Sequence, residues 1–453
     1  MTEFKDGLPM PRRLWAMVVL MAGLALVSWD MAAANVALPD IATDLNVSPG
    51  LVVWVMIAYT VTVLVGILPS SAVAERIGFR QMYGLGSTIF MLGALACAFS
   101  TSFSMLLIAR VVQGIGSAML MSLFGGLVRN IYPMRQLGLG VSLSSLVVGI
   151  LAVLGPAIGA FIIELSSWRW TFVVYTPVCV ALLFGLRALP DVPRTSKRFD
   201  WLSCGLSMIT FGLFVVGLDM LVSNLVWALG FLGVSCIAGW WLFRRAGRQE
   251  APLVPLDLLR IQPIAFAVSA SLASFASQMS AMVALPFYLI HMLDYSYGQV
   301  GVLLAAWSVG VASMAPIAGW MSDRYRVAIL CIIGAGLTGA GLIWTVLMPL
   351  DSAHYSMLAP MVLSGIGVGF FQTPNNRAML AGAPRRRSGA AGGLQATTRV
   401  LGQSVGTALA AIAFQLGGDN GPVVSISVSI VCALLAVIIN VVRHFNPTPD
   451  LQL

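Results

Sequence analysis

Apolar runs of about twenty residues follow one another along this chain, separated by short polar breaks. They fall near residues 14–38, 51–73, 82–100, 105–128, 139–164, 169–188, 200–220, 223–243, 263–290, 298–321, 327–348, 354–379, 391–416 and 422–442. A hydrocarbon core of roughly 30 Å takes about 20 residues at 1.5 Å each, so every run predicts one membrane-crossing helix. The short alternating segments of barrel strands are not found. The fold class expected is an all-α integral membrane protein of about fourteen helices. No loop between the runs is long enough to be a separate soluble domain.

Polar residues inside the runs break this pattern, and two are costly. Asp30 lies about sixteen residues into the first run, in Trp29-Asp30-Met31-Ala32-Ala33-Ala34-Asn35. A carboxylate at that depth costs about 2.5–3.5 kcal/mol on insertion scales. It reads either as a buried, permanently neutral acid or helix end, or as a proton or cation site facing a polar cavity. Arg110 lies one to two turns into the fourth run. It is either an arginine snorkelling to the interface or a cavity-facing cation that tunes Asp30 or touches cargo. Gln113, one turn on, shares its face. In the fifth run Gly149, Gly155, Pro156 and Gly159 combine close-approach residues with a proline, the pattern of a pliable helix-packing seam. Gln372-Thr373-Pro374-Asn375-Asn376-Arg377 reads as a proline-broken stretch, a gate or a solvated helix end.

Composition and charge agree with the pattern. Of 453 residues 59% are hydrophobic and 9% charged, about a third of the charge of a soluble domain. The net charge of +8 raises the possibility of a nucleic-acid partner, but the basic residues cluster in alternate loops. With the N-terminus inside, nearly all fall on the inner side and Arg169 falls outside, so the positive-inside rule predicts cytoplasmic N- and C-termini. The six cysteines sit in apolar runs without CxxC spacing and read as buried free thiols.

The two halves of the chain repeat each other. Ala37-Leu38-Pro39 returns as Ala284-Leu285-Pro286, Glu75-Arg76 as Asp323-Arg324, and Gly114-Ile115-Gly116 as Gly365-Ile366-Gly367, at offsets of 247 to 251. The organisation expected is a six-helix bundle over 1–190, an inserted helix pair over 191–250 and a second six-helix bundle over 251–453. Parallel repeats of this kind place a substrate site at mid-membrane between rocking halves.

Motifs for catalysis fail on context. Gly402-Gln403-Ser404-Val405-Gly406 fits a nucleophile elbow and Gly334-Ala335-Gly336-Leu337-Thr338-Gly339 a dinucleotide fingerprint, but both lie inside spans with no preceding strand. His291, His354 and His444 lack metal spacing. Neither lysine, Lys5 or Lys197, follows the glycine of a phosphate loop. The chain is expected not to be an enzyme, and to need no cofactor or metal.

Ser71-Ala72-Val73-Ala74-Glu75-Arg76-Ile77-Gly78-Phe79-Arg80 resembles the G-x-L-a-D-r-x-G-r-k loop of the major facilitator superfamily. Arg110 with Gln113-Gly114-Ile115-Gly116 is similar to that family's fourth-span motif, and Gly155-Pro156-Ala157-Ile158-Gly159 to its antiporter motif. The stretch from Asp30 to Pro39, Trp168-Arg169-Trp170 and the inserted pair resemble the fourteen-span drug:proton antiporter branch. The resemblance covers nearly the whole chain. It implies that Glu75, Arg76 and Arg80 latch the cytoplasmic side and that Asp30 and Arg110 line the cavity; Asp323 and Arg324, which repeat Glu75-Arg76 in the other half, are expected to join the latch. Ser71, Glu75 and Phe79 depart from the motif at positions that bear on the latch.

The function expected is proton-coupled antiport exporting amphipathic, cationic drugs or toxic compounds by alternating access, with Asp30 coupling to protons. Trp29, Asn35, Tyr59, Arg110, Gln113, Gln278, Tyr288, Trp307 and Asn375 are the expected cavity residues, a set of aromatic and polar groups suited to flat cations. The alternatives are a dedicated exporter of one endogenous metabolite, or a non-transporting membrane sensor. The partners expected are small amphipathic molecules and the bilayer, with no nucleic acid and a monomeric chain. The expected location is the inner membrane of the cell.

Overall fold

A computed structural model describes residues 7–192, 194, 199–221, 224–249, 252–349 and 354–446; the side chains of residues 32, 49, 50, 152, 153, 156, 157 and 297 lie outside the description, as do Lys5 and Lys197. Among the described residues fourteen long helices cross the molecule. The first six are α1 Arg12–Asp44, α2 Trp54–Ile77, α3 Phe79–Ala98, α4 Phe103–Ile131, α5 Leu137–Leu165 and α6 Trp168–Ala188. α7 Trp201–Asp219 and α8 Leu225–Ala246 form a hairpin. The last six are α9 Gln262–His291, α10 Tyr297–Ser322, α11 Val327–Leu347, α12 Leu358–Gly382, α13 Ser388–Gly417 and α14 Gly421–Phe445. Their lengths and apolar composition suit membrane crossing, with α13 and α14 forming one long apolar stretch interrupted at Gly418, whose φ is +52°. An even number of crossings puts the start of α1 and the end of α14 on one face, called here the terminal face.

The helices sort into two six-helix bundles plus the hairpin, and the bundles repeat each other contact for contact. Within the first, α1 packs on α5, α2 on α4, and α3 on α4; within the second, α9 packs on α13, α10 on α12, and α11 on α12. The repeated glycine pairs explain why. A Cβ on Gly116 would lie 2.8 Å from the Gly86 carbonyl, and one on Gly367 would lie 2.6 Å from the Gly334 carbonyl. Only hydrogen at these positions lets α4 reach α3, and α12 reach α11, at backbone contact. Proline recurs too, at Pro39 in α1 and Pro286 in α9, and at Pro69 in α2 and Pro316 in α10.

The halves meet through α5 on α10, α13 on α2, α13 on α4, and α12 on α5. A Cβ on Gly138 would run into the Gly319 carbonyl, so α5 and α10 cross glycine against glycine near the terminal face. Gly149 faces Ala312 of α10 at 3.1 Å, in the same cross-half seam, whereas Gly159 faces Ala33 of α1 inside the first bundle. Gly155 is buried in the same helix, and the Pro156 side chain is outside the description.

Three sequence expectations change. The first helix runs past Pro39 to Asp44, where Arg169 and the Trp168 indole bind its carboxylate at 2.6 and 3.1 Å and pin it to α6. α12 is continuous through Pro374 to Gly382; Thr373, Asn375, Asn376 and Arg377 are buried in it instead of solvated, and Gln372, Asn375 and Arg377 are hydrogen-bonded. Finally, Cys236 is exposed on the hairpin, where apolar side chains such as Val226 and Phe243 also face outward.

The hairpin is tied at one end by Asp200, which caps α7 through Ser203 and takes two hydrogen bonds of 3.0 Å from Arg245 of α8. Burial opposes its charge, but bonds from Arg245, Ser203 and Gln249 outweigh this and hold the carboxyl well below the usual carboxylate range. α7 of the pair packs on both halves, against α2 and α13.

Candidate functional site

Three features define the candidate site: a buried charge pair in the first bundle, a cavity between the bundles, and acid-capped helix ends at the terminal face.

Asp30 and Arg110 are both fully buried. Arg110 Nη1 donates to Asp30 Oδ1 and Oδ2 at 3.0 and 2.9 Å and to Gln113 Oε1 at 2.8 Å, while Gln113 Nε2 donates to Asp30 Oδ1 at 3.0 Å. The remaining guanidinium donors reach the Val55 carbonyl at 3.2 Å and Met56 Sδ at 3.8 Å. The Tyr59 ring covers the guanidinium at 4.3 Å and Phe172 lies at 5.6 Å. The 3.6-residue period puts Arg110 and Gln113 on one face of α4, so one helix supplies both donors to the acid of α1. Trp29 is half-buried beside it, edge-on to Tyr175 at 5.4 Å. The second bundle has no such pair: the positions in register with Asp30, Arg110 and Gln113 are Ser277, Met361 and Ser364. There Ser277 and Ser429 exchange hydrogen bonds between α9 and α14.

The cavity of about 170 Å³ between the bundles lies deeper towards the terminal face. Its first-bundle wall holds Leu24, Met121, Phe124, Ser144, Ser145 and Val148. From the second bundle come Gln278, Trp307, Gln372, Gln395, Arg399 and Gln403, among others. Of the cavity residues expected from sequence, Gln278 and Trp307 are therefore in its wall. Trp29, Tyr59, Arg110 and Gln113 belong instead to the sealed cluster around Asp30, because α4 turns Arg110 towards α1 and away from the interface. Asn35 is exposed on α1. Tyr288 is packed in the core of the second bundle with its hydroxyl 3.4 Å from the Thr345 carbonyl. Asn375 binds the Ala267 carbonyl and Ser271 at 2.8 and 2.7 Å and so ties α12 to α9. Arg399 was visible in the sequence as a cation inside a span, the same signal that marked Arg110, yet no role came with it.

At the terminal face each bundle sends a carboxylate to a helix start of the other. Glu75, at the end of α2, accepts the Ala390 N–H of α13 at 3.0 Å, and Asp323, after α10, accepts the Gly138 N–H of α5 at 3.0 Å. The free N–H groups and positive dipole of a helix N-terminus suit an anion there. Arg387 stands 3.6 Å from Glu75 and also binds Asp257 at 3.0 Å, and Arg377 binds Asp323 at 2.7 Å. The basic residues expected in the latch make other contacts as well. Arg76 binds the Ala72 carbonyl and lies over Phe199, Arg80 reaches the Leu189 carbonyl at 2.7 Å, and Arg324 stacks on Trp320 at 3.9 Å. The acids were legible from the repeat. Their partners Arg387 and Arg377, and the Asp257 that shares Arg387 with Glu75, were not, because they lie outside the motif.

Two pseudo-symmetric membrane bundles around a central cavity define a multi-pass transporter, not an enzyme. The Major Facilitator Superfamily model matches residues 20–407 and 267–451, and the chain belongs to that superfamily, whose members bind small-molecule substrates within the membrane. It is 40% identical to "Uncharacterized transporter YebQ" of Escherichia coli (strain K12), over 98% of each chain. It is 27% identical to "Riboflavin transporter RibZ" of Clostridioides difficile (strain 630), over 86% of each chain. "Putative multidrug resistance protein MdtD" of Pectobacterium carotovorum is also 27% identical, over 88% of this chain and 86% of the relative. Among solved structures, the human organic anion transporter MFSD10 (TETRAN) superposes with a TM-score of 0.68 at 15% identity, over 95% of this chain and all of that one.

Proposed function

We propose that the protein is a proton-coupled antiporter of the inner membrane that exports amphipathic compounds by alternating access, with both termini in the cytoplasm. Residues 1–190 and 251–453 rock as two units, and 191–250 rides between them. The observation that carries the coupling is the water-excluded Asp30–Arg110–Gln113 cluster. Protonating Asp30 cancels its charge and leaves Arg110 buried without its partner. Breaking a buried pair in this way costs about 3–5 kcal/mol. The drive available is comparable: roughly 2.3 kcal/mol per 100 mV and about 1.4 kcal/mol per pH unit. Protonation therefore has the leverage to move α4 against α1 and, through the bundle, to change which end of the cavity is open. No cofactor beyond the proton is required. The relative named for multidrug resistance favours export as the direction. The sealed position of Asp30 separates its role from cargo binding, so the cationic cargo expected from an acid in the cavity loses its support.

The test is transport in proteoliposomes under an imposed pH gradient, with ethidium and fluorescein as probes. Wild-type protein is expected to concentrate at least one of them against its gradient, and Asp30→Asn to lower this at least tenfold while retaining cargo counterflow without a pH gradient. Full gradient-driven transport by Asp30→Asn overturns the coupling role.

A further inference from the structure

The cavity carries a charge that the first-bundle cluster does not explain. Arg399 lies eleven residues into α13, about 17 Å along the helix from its start. Among the residues lining the cavity it is the only charged one. Among the described residues its one hydrogen-bond contact is a weak one, to Met121 Sδ at 3.9 Å. Two other arginines inside helices have a carboxylate beside them: Arg110 has Asp30, and Arg377 has Asp323. A guanidinium kept at mid-membrane depth without a carboxylate is expensive, and such groups mark ligand or ion pathways.

Two further polar atoms of the same wall are buried without a hydrogen-bond partner among the described residues, the Trp307 indole Nε1 and Gln395 Oε1. Gln278 and Gln372, bonded to each other at 3.1 Å, and Asn376 add amides beside them. The opposite wall offers Leu24, Met121, Phe124 and Val148. Val148 is the residue in register with Arg399, so the repeat puts a cation on one side of the cavity and an isopropyl group on the other.

We propose that this cavity binds amphipathic organic anions: an aromatic body against the first-bundle wall and a carboxylate or sulfonate on Arg399, with the Trp307 indole N–H donating to an acceptor on the cargo and Gln395 accepting from a donor on it. Guanidinium pairs with such oxyanions bidentately, and loss of the partner leaves a buried charge, so Arg399 sets specificity as well as affinity. A cavity of about 150 Å³ holds one benzene ring, so the observed 170 Å³ admits a single ring as it stands and larger cargo only as the halves part. This inference deepens the transport reading and rests on the central cavity being the cargo site.

Binding to purified protein in nanodiscs tests it without any gradient. Benzoate, 2-naphthoate and fluorescein are titrated against benzylamine, 2-naphthylmethylamine and ethidium, read by calorimetry and by tryptophan fluorescence. The wild type is expected to bind at least one anion tenfold or more tighter than its cationic counterpart. Arg399→Gln should remove that preference, and Arg399→Lys should keep most of it. Should Arg399→Gln fail to fold, Trp307→Phe should weaken the anion several-fold, and excess 2-naphthoate should displace fluorescein from the wild type. Preference for the cations, equal binding of both sets, or an unchanged preference in Arg399→Gln overturns the proposal. Anion binding without gradient-driven transport would instead sink antiport alone, and gradient-driven transport of ethidium with no anion binding would sink this inference alone.

Discussion

Asp30 and Arg110 show how far one buried pair can be read. The sequence placed both deep in spans and on faces able to meet, but left each with an ordinary alternative. The geometry shows one cluster with every guanidinium nitrogen engaged. Such a pair is weak evidence for stability against an apolar replacement, yet losing one partner strands the other charge. Asp30→Leu is therefore expected to destabilise the protein by about 3–5 kcal/mol, and adding Arg110→Met to restore most of that. Unfolding of purified protein in mixed detergent measures both. A double variant no more stable than Asp30→Leu would mean that the pair itself, not the stranded charge, holds α1 to α4.

Between elements, the terminal face is closed by two acids on two foreign helix starts. Charge-assisted bonds of a carboxylate to backbone N–H groups are stronger than neutral ones, though each contact is partly open to water. Glu75→Gln is expected to lower transport several-fold, leave cargo binding within about twofold, and raise labelling from the terminal side of a cysteine placed at Ser145 in the cavity wall. Asp323→Asn should do the same through α5. Unchanged labelling in both variants would remove the latch role. The repeat made these acids legible, because a short offset match survives without knowing any distance. The arginine partners were illegible for the opposite reason: Arg377 reaches Asp323 from α12, and Arg387 lies beside Glu75 from the turn before α13, across sequence separations that no motif spans. The continuity of α12 through Pro374 was missed likewise, since a run of polar residues looks solvated until its partners in α9 are in place.

At the scale of the molecule, the fourteen crossings, the paired bundles and the hairpin were all written in the apolar runs and the repeat. The location of the cavity was not. The sequence shows which residues are polar inside a span, but not which way each helix is turned, and rotation alone decides that Arg110 meets Asp30 while Arg399 meets open space. Rocking of the halves about that space requires the α5–α10 seam to open when the terminal face opens. Gly149 and Ala312 sit opposite each other there, with a Cβ on the glycine 3.1 Å from that of the alanine, close to the roughly 3.5–4.5 Å of a disulfide. In a chain whose native cysteines are replaced, Gly149→Cys with Ala312→Cys should oxidise to a cross-link that locks the terminal face shut. The locked protein is expected to lose at least nine-tenths of its transport while still binding cargo from the opposite face, and reductant should restore both the open seam and the rate. Full transport by fully cross-linked protein would show that the halves do not part along α5 and α10, and that cargo leaves by another route.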